Sequence, residues 1–524
     1  MDAINPGDLV PGDLVSGERR LTRAEFDHRV ALAAGGFRAL GIGEGDVVAL
    51  YLRNDFAFFE ASLGASRAGA YATPVNWHFT ADETAYILQD SDARVLLVHS
   101  DLWPGIAAGV PGHVKVFVVP TPPEIAQAYG VAPGSMASGA MPAGLENWND
   151  WLAKQPPDTD ATAVPRNAMI YTSGTTGRPK GVRREKPTPE QVAANTVAIG
   201  TYYGLKAGQP GVILMNGPMY HSAPNSYGLT AARQGKTIVL QARFDPEEML
   251  ALIQRYRVTN MHIVPTMFVR LLKLPEDTRQ KYDVSSLRDV VHGAAPCAPP
   301  VKQAMLDWWG PVINEYYGST ETGIAVWLSA ADARTHPGSV GRILPGCTVT
   351  AFDEQGNALP PGETGELYIH APHTSDFTYH RLDDKRREVG RGHLITVGDV
   401  GRVEADGFVY LSDRKRDMVI SGGVNIYPAE IESVLITMPG VKDCAVFGIP
   451  DEEFGESLCA YIEPDDAAAA PTPADVQAFL LPRIAKYKLP RRVEVAATLP
   501  REDSGKIFKR KLREPYWQKA GRSI

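Results

Sequence analysis

The chain has 524 residues, 44% of them apolar, and a formal net charge of -8. That length holds about two to four domains with ample cores, and the acidic balance argues against a general nucleic-acid binder. Cys297, Cys347, Cys444 and Cys459 lie far apart without a CxxC pair, and no apolar run approaches the ~18 residues of a membrane span, so the composition fits a cytoplasmic protein with no transmembrane segment.

The N-terminus, MDAINPGDLVPGDL, is acidic and broken by Pro and Gly, unlike a signal peptide. Thr22 and Glu25 form a capping box for the first helix, and Phe26, Val30, Ala33, Phe37 and Leu40 recur at helical spacing as its core face. Residues 47–51 read as a buried strand, 57–68 as a helix and 70–74 as a strand. A second capping box, Thr80 with Glu83, opens a helix leading to a strand at 94–98. Strands alternating with helices predict a parallel sheet. Residues 120–145, rich in Pro, Gly, Ala and Met, read as an irregular surface excursion.

Residues 171–181 read YTSGTTGRPKG. Glycines let the backbone bend close to an anion while hydroxyls, amides and the cations Arg178 and Lys180 point inward, which suits a polyphosphate. The apolar run at 168–171 reads as a strand end, where phosphate loops sit in open α/β sheets. This is not a Walker loop, because Arg178 and Pro179 intervene and Gly181 follows Lys180. The alternative is a polar surface loop.

The strand at 212–215 runs into Gly217, Pro218, Met219, Tyr220, His221 and Ser222, a polar aromatic tip suited to a site; a structural histidine is the competing reading of His221. Further strands are read at 237–240, 261–264 and 287–291, with a helix start at Asp245, Pro246 and Glu248. After the last strand, Gly293, Ala294, Ala295 and Pro296 make a bend of small residues that admits a flat ring. A helix at 301–309 and a strand at 312–316 then deliver Tyr317, Gly318, Ser319, Thr320 and Glu321, joining ring, hydroxyl and carboxylate in one turn.

From 338 to 410 short β-like runs at 348–352, 365–370 and 408–411 predict a β-rich subdomain, in which Gly398 and Asp399 precede a strand at 401–403. DRKRD at 413–417 suits a solvated face or a pivot between domains. Beyond it lie a helix at 428–438, strands at 444–448 and 458–462, and a helix starting at Thr472 and Pro473. Gly422, Gly423 and Asn425 allow close approach to a ligand, and Lys506 follows Ser504 and Gly505 on what reads as a mobile tip.

Taken in order, YTSGTTGRPKG, YYGSTE, Gly398–Asp399, DRKRDMVISGGVNIYPAEIE and PREDSGK resemble the adenylate-forming superfamily, in its acyl-CoA synthetase branch, over about 21–512. The resemblance implies an α/β fold: a large N-terminal domain of parallel sheets with flanking helices, 1–415, carrying a β-rich subdomain at about 338–415, and a small mobile α+β C-terminal domain, 416–524. It implies that a carboxylic acid reacts with ATP to give acyl-AMP and pyrophosphate, and that CoA then takes the acyl group.

By the same resemblance Thr172, Ser173, Gly174, Thr175, Thr176, Gly177 and Lys180 hold the β- and γ-phosphates, Thr320 the α-phosphate and Glu321 a Mg²⁺. Gly293, Ala294, Ala295, Pro296, Tyr317, Gly318 and Ser319 frame the nucleotide, and Asp399 and Arg414 bind ribose. Lys506 bridges carboxylate and α-phosphate, and His221 gates the acyl site. Arg416 matches the hinge, where many relatives carry Asp or Lys, and Val397 stands where threonine is common. Ser421, Gly422 and Gly423 line the thiol tunnel, with Phe454, Tyr487 and Arg491 near the CoA nucleotide. An acyl pocket of His221, Ala223, Asn225, Ala294, Gly323 and Ala325 is roomy and apolar, suited to a fatty acid or a bulky ring-bearing acid.

The competing readings are a ligase that loads a carrier protein, an aryl- or cinnamate-type CoA ligase, a luciferase-like oxygenase and a non-enzymatic nucleotide sensor. The partners implied are small molecules, and a homodimer is compatible with the reading.

Overall fold

The computed structural model describes residues 7, 9–131, 145–160, 166–172, 179–422, 424–501 and 507–519. The chain divides into two compact units, Met1–Ile263 with Leu274–Val291 and Pro372–Glu388, and Val264–Lys273 with His292–Ala371 and Val389–Ile524.

In the first unit, strands Tyr71–Pro74, Val47–Tyr51, Ala93–His99, Lys115–Val119 and Glu146–Asn147 lie in that order, all parallel. Val47–Tyr51 is buried along its whole length, which explains an unbroken apolar run where a half-exposed strand would alternate. A second sheet orders Arg19–Leu21, Leu14–Ser16, Thr237–Leu240, Val212–Met215, Asn260–Ile263 and Asp289–His292.

Helix Arg23–Ala39 begins with the expected capping box: the Thr22 hydroxyl accepts from the Glu25 amide, and the Glu25 carboxylate accepts from the Thr22 amide. Phe26, Val30, Ala33 and Phe37 are buried as expected, joined by Leu32, Ala34, Gly35 and Gly36, while Leu40 is only half-buried. Small residues recur because two segments come close: a Cβ on Gly64 of helix Phe56–Arg67 would lie 2.6 Å from that of Ala33, and one on Gly36 would lie 2.4 Å from the Trp151 ring. The box at Thr80 and Glu83 likewise opens helix Ala81–Asp90.

Two expectations change. Residues 120–145 contain helix Pro123–Ala128, whose Glu124 accepts from Ser16 Oγ at 2.7 Å and pairs with Arg19 at 2.6 Å; 132–144 lie outside the described residues. Six residues carry too few helical periods to stand out in sequence. Strand Ile170–Thr172 does not end in a parallel sheet. It pairs antiparallel with Lys180–Arg184, which pairs with Phe377–Tyr379 in a separate three-stranded sheet. The glycine stretch therefore joins the two legs of a hairpin, with Thr172 opposite Lys180. A short apolar strand alternates identically in either direction, so its partner's direction is not written in it.

In the second unit, Ile313–Ser319, Gly323–Leu328, Gly341–Ile343, Phe408–Arg414, Asp399–Val403 and Gly365–His370 follow one another antiparallel, and Thr348–Phe352 also pairs with Gly365–His370. The core around Val326, Leu367, Ile369 and Val409 belongs to this β-rich region. The strand expected to end at 316 continues through Ser319, so Tyr317, Gly318 and Ser319 stand on a strand and only 320–322 turn.

The C-terminal strands Val424–Ile426, Val419–Ser421, Gly455–Pro464 and Val441–Asp451 form another antiparallel sheet, with Arg492–Val495 parallel to Gly455–Pro464. Helices Pro428–Leu435 and Pro473–Leu480 contribute Ile431, Leu435, Val476 and Leu480 to its core. The protein is thus mixed α/β, with a large N-terminal parallel-sheet domain and a smaller C-terminal domain. No described helix is long and apolar enough to cross a membrane.

Candidate active site

In the first unit, helix Ala81–Asp90 holds both legs of the glycine-rich hairpin. The Tyr171 hydroxyl donates to Asp90 Oδ2 at 2.6 Å, and the Tyr86 hydroxyl donates to the Pro179 carbonyl at 3.1 Å. Tyr86 and Asp90 are four residues apart and so share a helix face. Burial, reinforced by Asp90, pushes the Tyr171 phenol far up and keeps it a donor. Lys180 is 9% exposed, with its ammonium 5.2 Å from the Tyr379 ring centre. Ser173, Gly174, Thr175, Thr176 and Gly177 lie outside the described residues.

His221 caps helix Ser222–Arg233 by position, without a side-chain capping bond, and its ring lies 4.5 Å from that of Tyr220. Asn225 is buried and donates to the Met219 carbonyl at 2.9 Å, while Ala223 is half-buried on the helix's first turn. Sequence reasoning missed Asn54. Its amide donates to the Gly217 carbonyl at 2.8 Å and its oxygen accepts from the Met219 amide at 2.9 Å, so it fixes the backbone that presents His221. Its only signal in the sequence is its place in the polar run Arg53–Asn54–Asp55 after an apolar strand.

In the second unit, the hairpin of strands Ile313–Ser319 and Gly323–Leu328 carries the YYGSTE motif at 316–321. The Ser319 hydroxyl accepts from the amides of Glu321 (3.1 Å) and Thr322 (3.0 Å), and the Ser319 amide donates to Thr322 Oγ1 at 3.0 Å. These local bonds set the turn that bears Thr320, half-buried, and Glu321, 9% exposed. Gly318 is required by close approach, since a Cβ there would lie 2.0 Å from the Gly323 carbonyl oxygen. Ala325 is fully buried on the returning strand.

Tyr317 donates to Asp399 Oδ2 at 2.8 Å, and Arg414 Nε approaches Asp399 Oδ1 at 3.2 Å. Asp399 and Arg414 face each other in register across adjacent strands, which explains how residues fifteen apart meet. Burial pushes the Tyr317 phenol well up, and Asp399 adds to the shift. Before Asp399, the Gly398 amide donates to Thr396 Oγ1 at 3.0 Å, so Val397 contributes no hydroxyl to this turn. Gly293 lies against Tyr316, where a Cβ would come within 2.8 Å of the ring, and Ala294 adopts a left-handed φ of 67°.

Towards the C-terminus, the Arg416 carbonyl accepts from Arg513 Nη1 at 3.3 Å, and the Ala429 amide donates to Asp413 Oδ2 at 2.9 Å. Gly422, with φ 58°, donates its amide to the Phe454 carbonyl at 2.8 Å; the Arg491 guanidinium lies 4.1 Å from the Phe454 ring centre. The structure thus brings Gly422, Phe454 and Arg491 together beside strand Val419–Ser421, while Tyr487 is 58% exposed. Gly423 and Lys506 lie outside the described residues.

The sequence matches the AMP-binding enzyme family over residues 10–376 and the AMP-binding enzyme C-terminal domain over 430–506. The chain belongs to the AMP-binding enzyme family. It is 31% identical to the fatty acid–[acyl-carrier-protein] ligase ScoC of Streptomyces coeruleorubidus, over 98% of this chain and 95% of the relative. It is 33% identical to a feruloyl-CoA synthase of Amycolatopsis sp, over 95% of each chain. Among solved structures, it is similar to the anthranilate CoA ligase AuaEII with anthranoyl-AMP, at a TM-score of 0.82 and 25% identity over 97% of this chain and 94% of that one. Within the family the chain stands in the acyl-CoA synthetase branch: it is an AMP-forming acid–thiol ligase, an enzyme class that uses ATP and CoA.

Proposed function

We propose that this AMP-binding enzyme activates a fatty acid or a bulky ring-bearing carboxylic acid and transfers it to CoA. The observation that carries the nucleotide half is Tyr317, Asp399 and Arg414 in one bonded group: an aromatic face beside a carboxylate able to accept from two ribose hydroxyls. The acid class draws on relatives named for fatty-acid and feruloyl substrates.

In the first half-reaction a carboxylate oxygen attacks the α-phosphorus of ATP and pyrophosphate leaves. Both reactants are anions, so screening of charge is the main demand on the protein. In this reading the stretch from Thr172 to Lys180 takes the β- and γ-phosphates, Thr320 the α-phosphate, and Lys506 the charge shared by the two reacting groups. Glu321, a buried carboxylate on a turn with hydroxyl neighbours, would hold a Mg²⁺. Such an ion would supply further charge screening.

In the second half-reaction the CoA sulfur attacks the acyl carbonyl, AMP leaves and the thiol proton passes to solvent. The chain divides functionally into 1–415, with its β-rich part at about 338–415, and 416–524, turning at Arg416. Gly422 and Gly423 let pantetheine pass, with Phe454, Tyr487 and Arg491 beside its nucleotide. No disulfide joins Cys297, Cys347, Cys444 or Cys459 among the described residues.

A panel of carboxylic acids assayed for pyrophosphate release, with and without CoA, tests this reading. Acid-dependent pyrophosphate with an acyl-CoA product is the expected result. No release with any acid defeats it, and transfer only to a carrier protein's phosphopantetheine replaces CoA with that acceptor.

A further inference from the structure

The bend after strand Asp289–His292 is bounded by buried polar and titratable side chains that none of the roles above uses. His292, fully buried, brings Nε2 to 3.8 Å from Glu315 Oε2. Lys302, on helix Pro299–Trp309 and 6% exposed, donates to the same carboxylate oxygen and approaches the Ser339 carbonyl at 3.3 Å. Glu315 is 3% exposed and precedes Tyr317 by two positions, on the same face of strand Ile313–Ser319. Phe268 covers His292, with ring centres 5.3 Å apart.

One carboxylate thus faces the residue that enters the bend and the helix that leaves it. Between them Ala294 holds a left-handed φ of 67°, a conformation disfavoured for any residue with a Cβ, and Gly293 presses on Tyr316. A well-packed apolar pair would join helix to strand at least as stably, because a buried ion pair gives back much of its attraction in lost hydration. What the pair adds is direction: Lys302 reaches Glu315 and the Ser339 carbonyl in one geometry, where apolar side chains slide.

We propose that Lys302 and Glu315 are positioning residues for the nucleotide: with His292 beside them at the entry, they pin the exit of the 293–298 bend to the strand carrying Tyr317, so the adenine slot is formed before ATP arrives. The proposal rests on reading 293–296 as the adenine frame. Without the clamp the bend relaxes, and ATP must order it on binding, which weakens affinity for the nucleotide but not for the acid.

Calorimetric titration of ATP into the full chain without acid tests this, alongside KM for ATP and for the acid. Lys302→Met and the neutral double variant Lys302→Met/Glu315→Gln should each bind ATP about tenfold more weakly, with KM for the acid within about twofold of wild type. Lys302→Arg should recover most of the loss. The double variant leaves no unpaired buried charge and so guards against failure to fold. A folded double variant with wild-type ATP affinity overturns the proposal, as does an equal rise in both KM values or the absence of any folded variant lacking the pair. If the wild-type chain itself fails to bind ATP, the nucleotide reading falls and takes the proposal with it.

Discussion

The Tyr317 hydroxyl donates to Asp399 at 2.8 Å across 82 residues of sequence, while Arg414 holds the other carboxylate oxygen. These two contacts hold the Asp399 carboxylate in one orientation. Tyr317→Phe removes a hydrogen bond to a charged group, worth about 1.5–3 kcal/mol. We expect KM for ATP to rise about tenfold with kcat little changed; an unaltered KM in steady-state assays would separate this contact from nucleotide binding.

The Tyr171–Asp90 bond fixes one leg of the glycine-rich hairpin to helix Ala81–Asp90. Tyr171→Phe keeps the ring and loses the tether. Pyrophosphate-release kinetics should show a several-fold weaker response to ATP, with the acid's KM preserved. Equal losses for both substrates would mean that the tether serves the fold generally.

Lys506→Ala should lower acyl-adenylate formation by about 10²–10³-fold, the usual scale for losing one charge-stabilising group. Thioester formation from supplied acyl-AMP should be far less affected. Parallel loss in both half-reactions, followed by quenched-flow product analysis, would remove Lys506 from its assigned step.

Asp55 is 2% exposed and pairs with Arg19 at 2.7 Å, with His99 Nε2 at 3.4 Å. Burial alone would raise its carboxyl, but Arg19, and then His99, hold it well below the usual range. The folded value lies below the unfolded one, so the stabilisation is full above about pH 4 and fades as pH falls further. Asp55→Asn should cost about 3 kcal/mol at pH 7, with the gap narrowing on acidification. Urea midpoints from pH 3 to 7 measure this; a pH-independent gap would exclude the charge as its source.

The Tyr227 hydroxyl is buried without a hydrogen-bond partner among the described residues, close to the rings of Tyr203 and His262. An unsatisfied buried hydroxyl costs about 1–3 kcal/mol. Tyr227→Phe should therefore raise the thermal midpoint slightly, by scanning calorimetry. A fall of several degrees would point to a buried water serving that hydroxyl.

The features that sequence alone determined are local. Thr22 with Glu25 and Thr80 with Glu83 mark helix starts because a capping box closes within four residues, and VVALY at 47–51 marks a doubly covered strand by its unbroken apolarity. The ordered motifs were enough to indicate the family, since each is contiguous. Tertiary structure alone decided what depends on pairing between distant segments: that the glycine stretch joins antiparallel legs, that Asn54 props the turn before His221, that Tyr317 meets Asp399, and that His292 and Lys302 face one Glu315. A side chain's periodicity records which face is buried, whereas the partner it meets there is chosen by sheet register and helix docking, which no single stretch encodes.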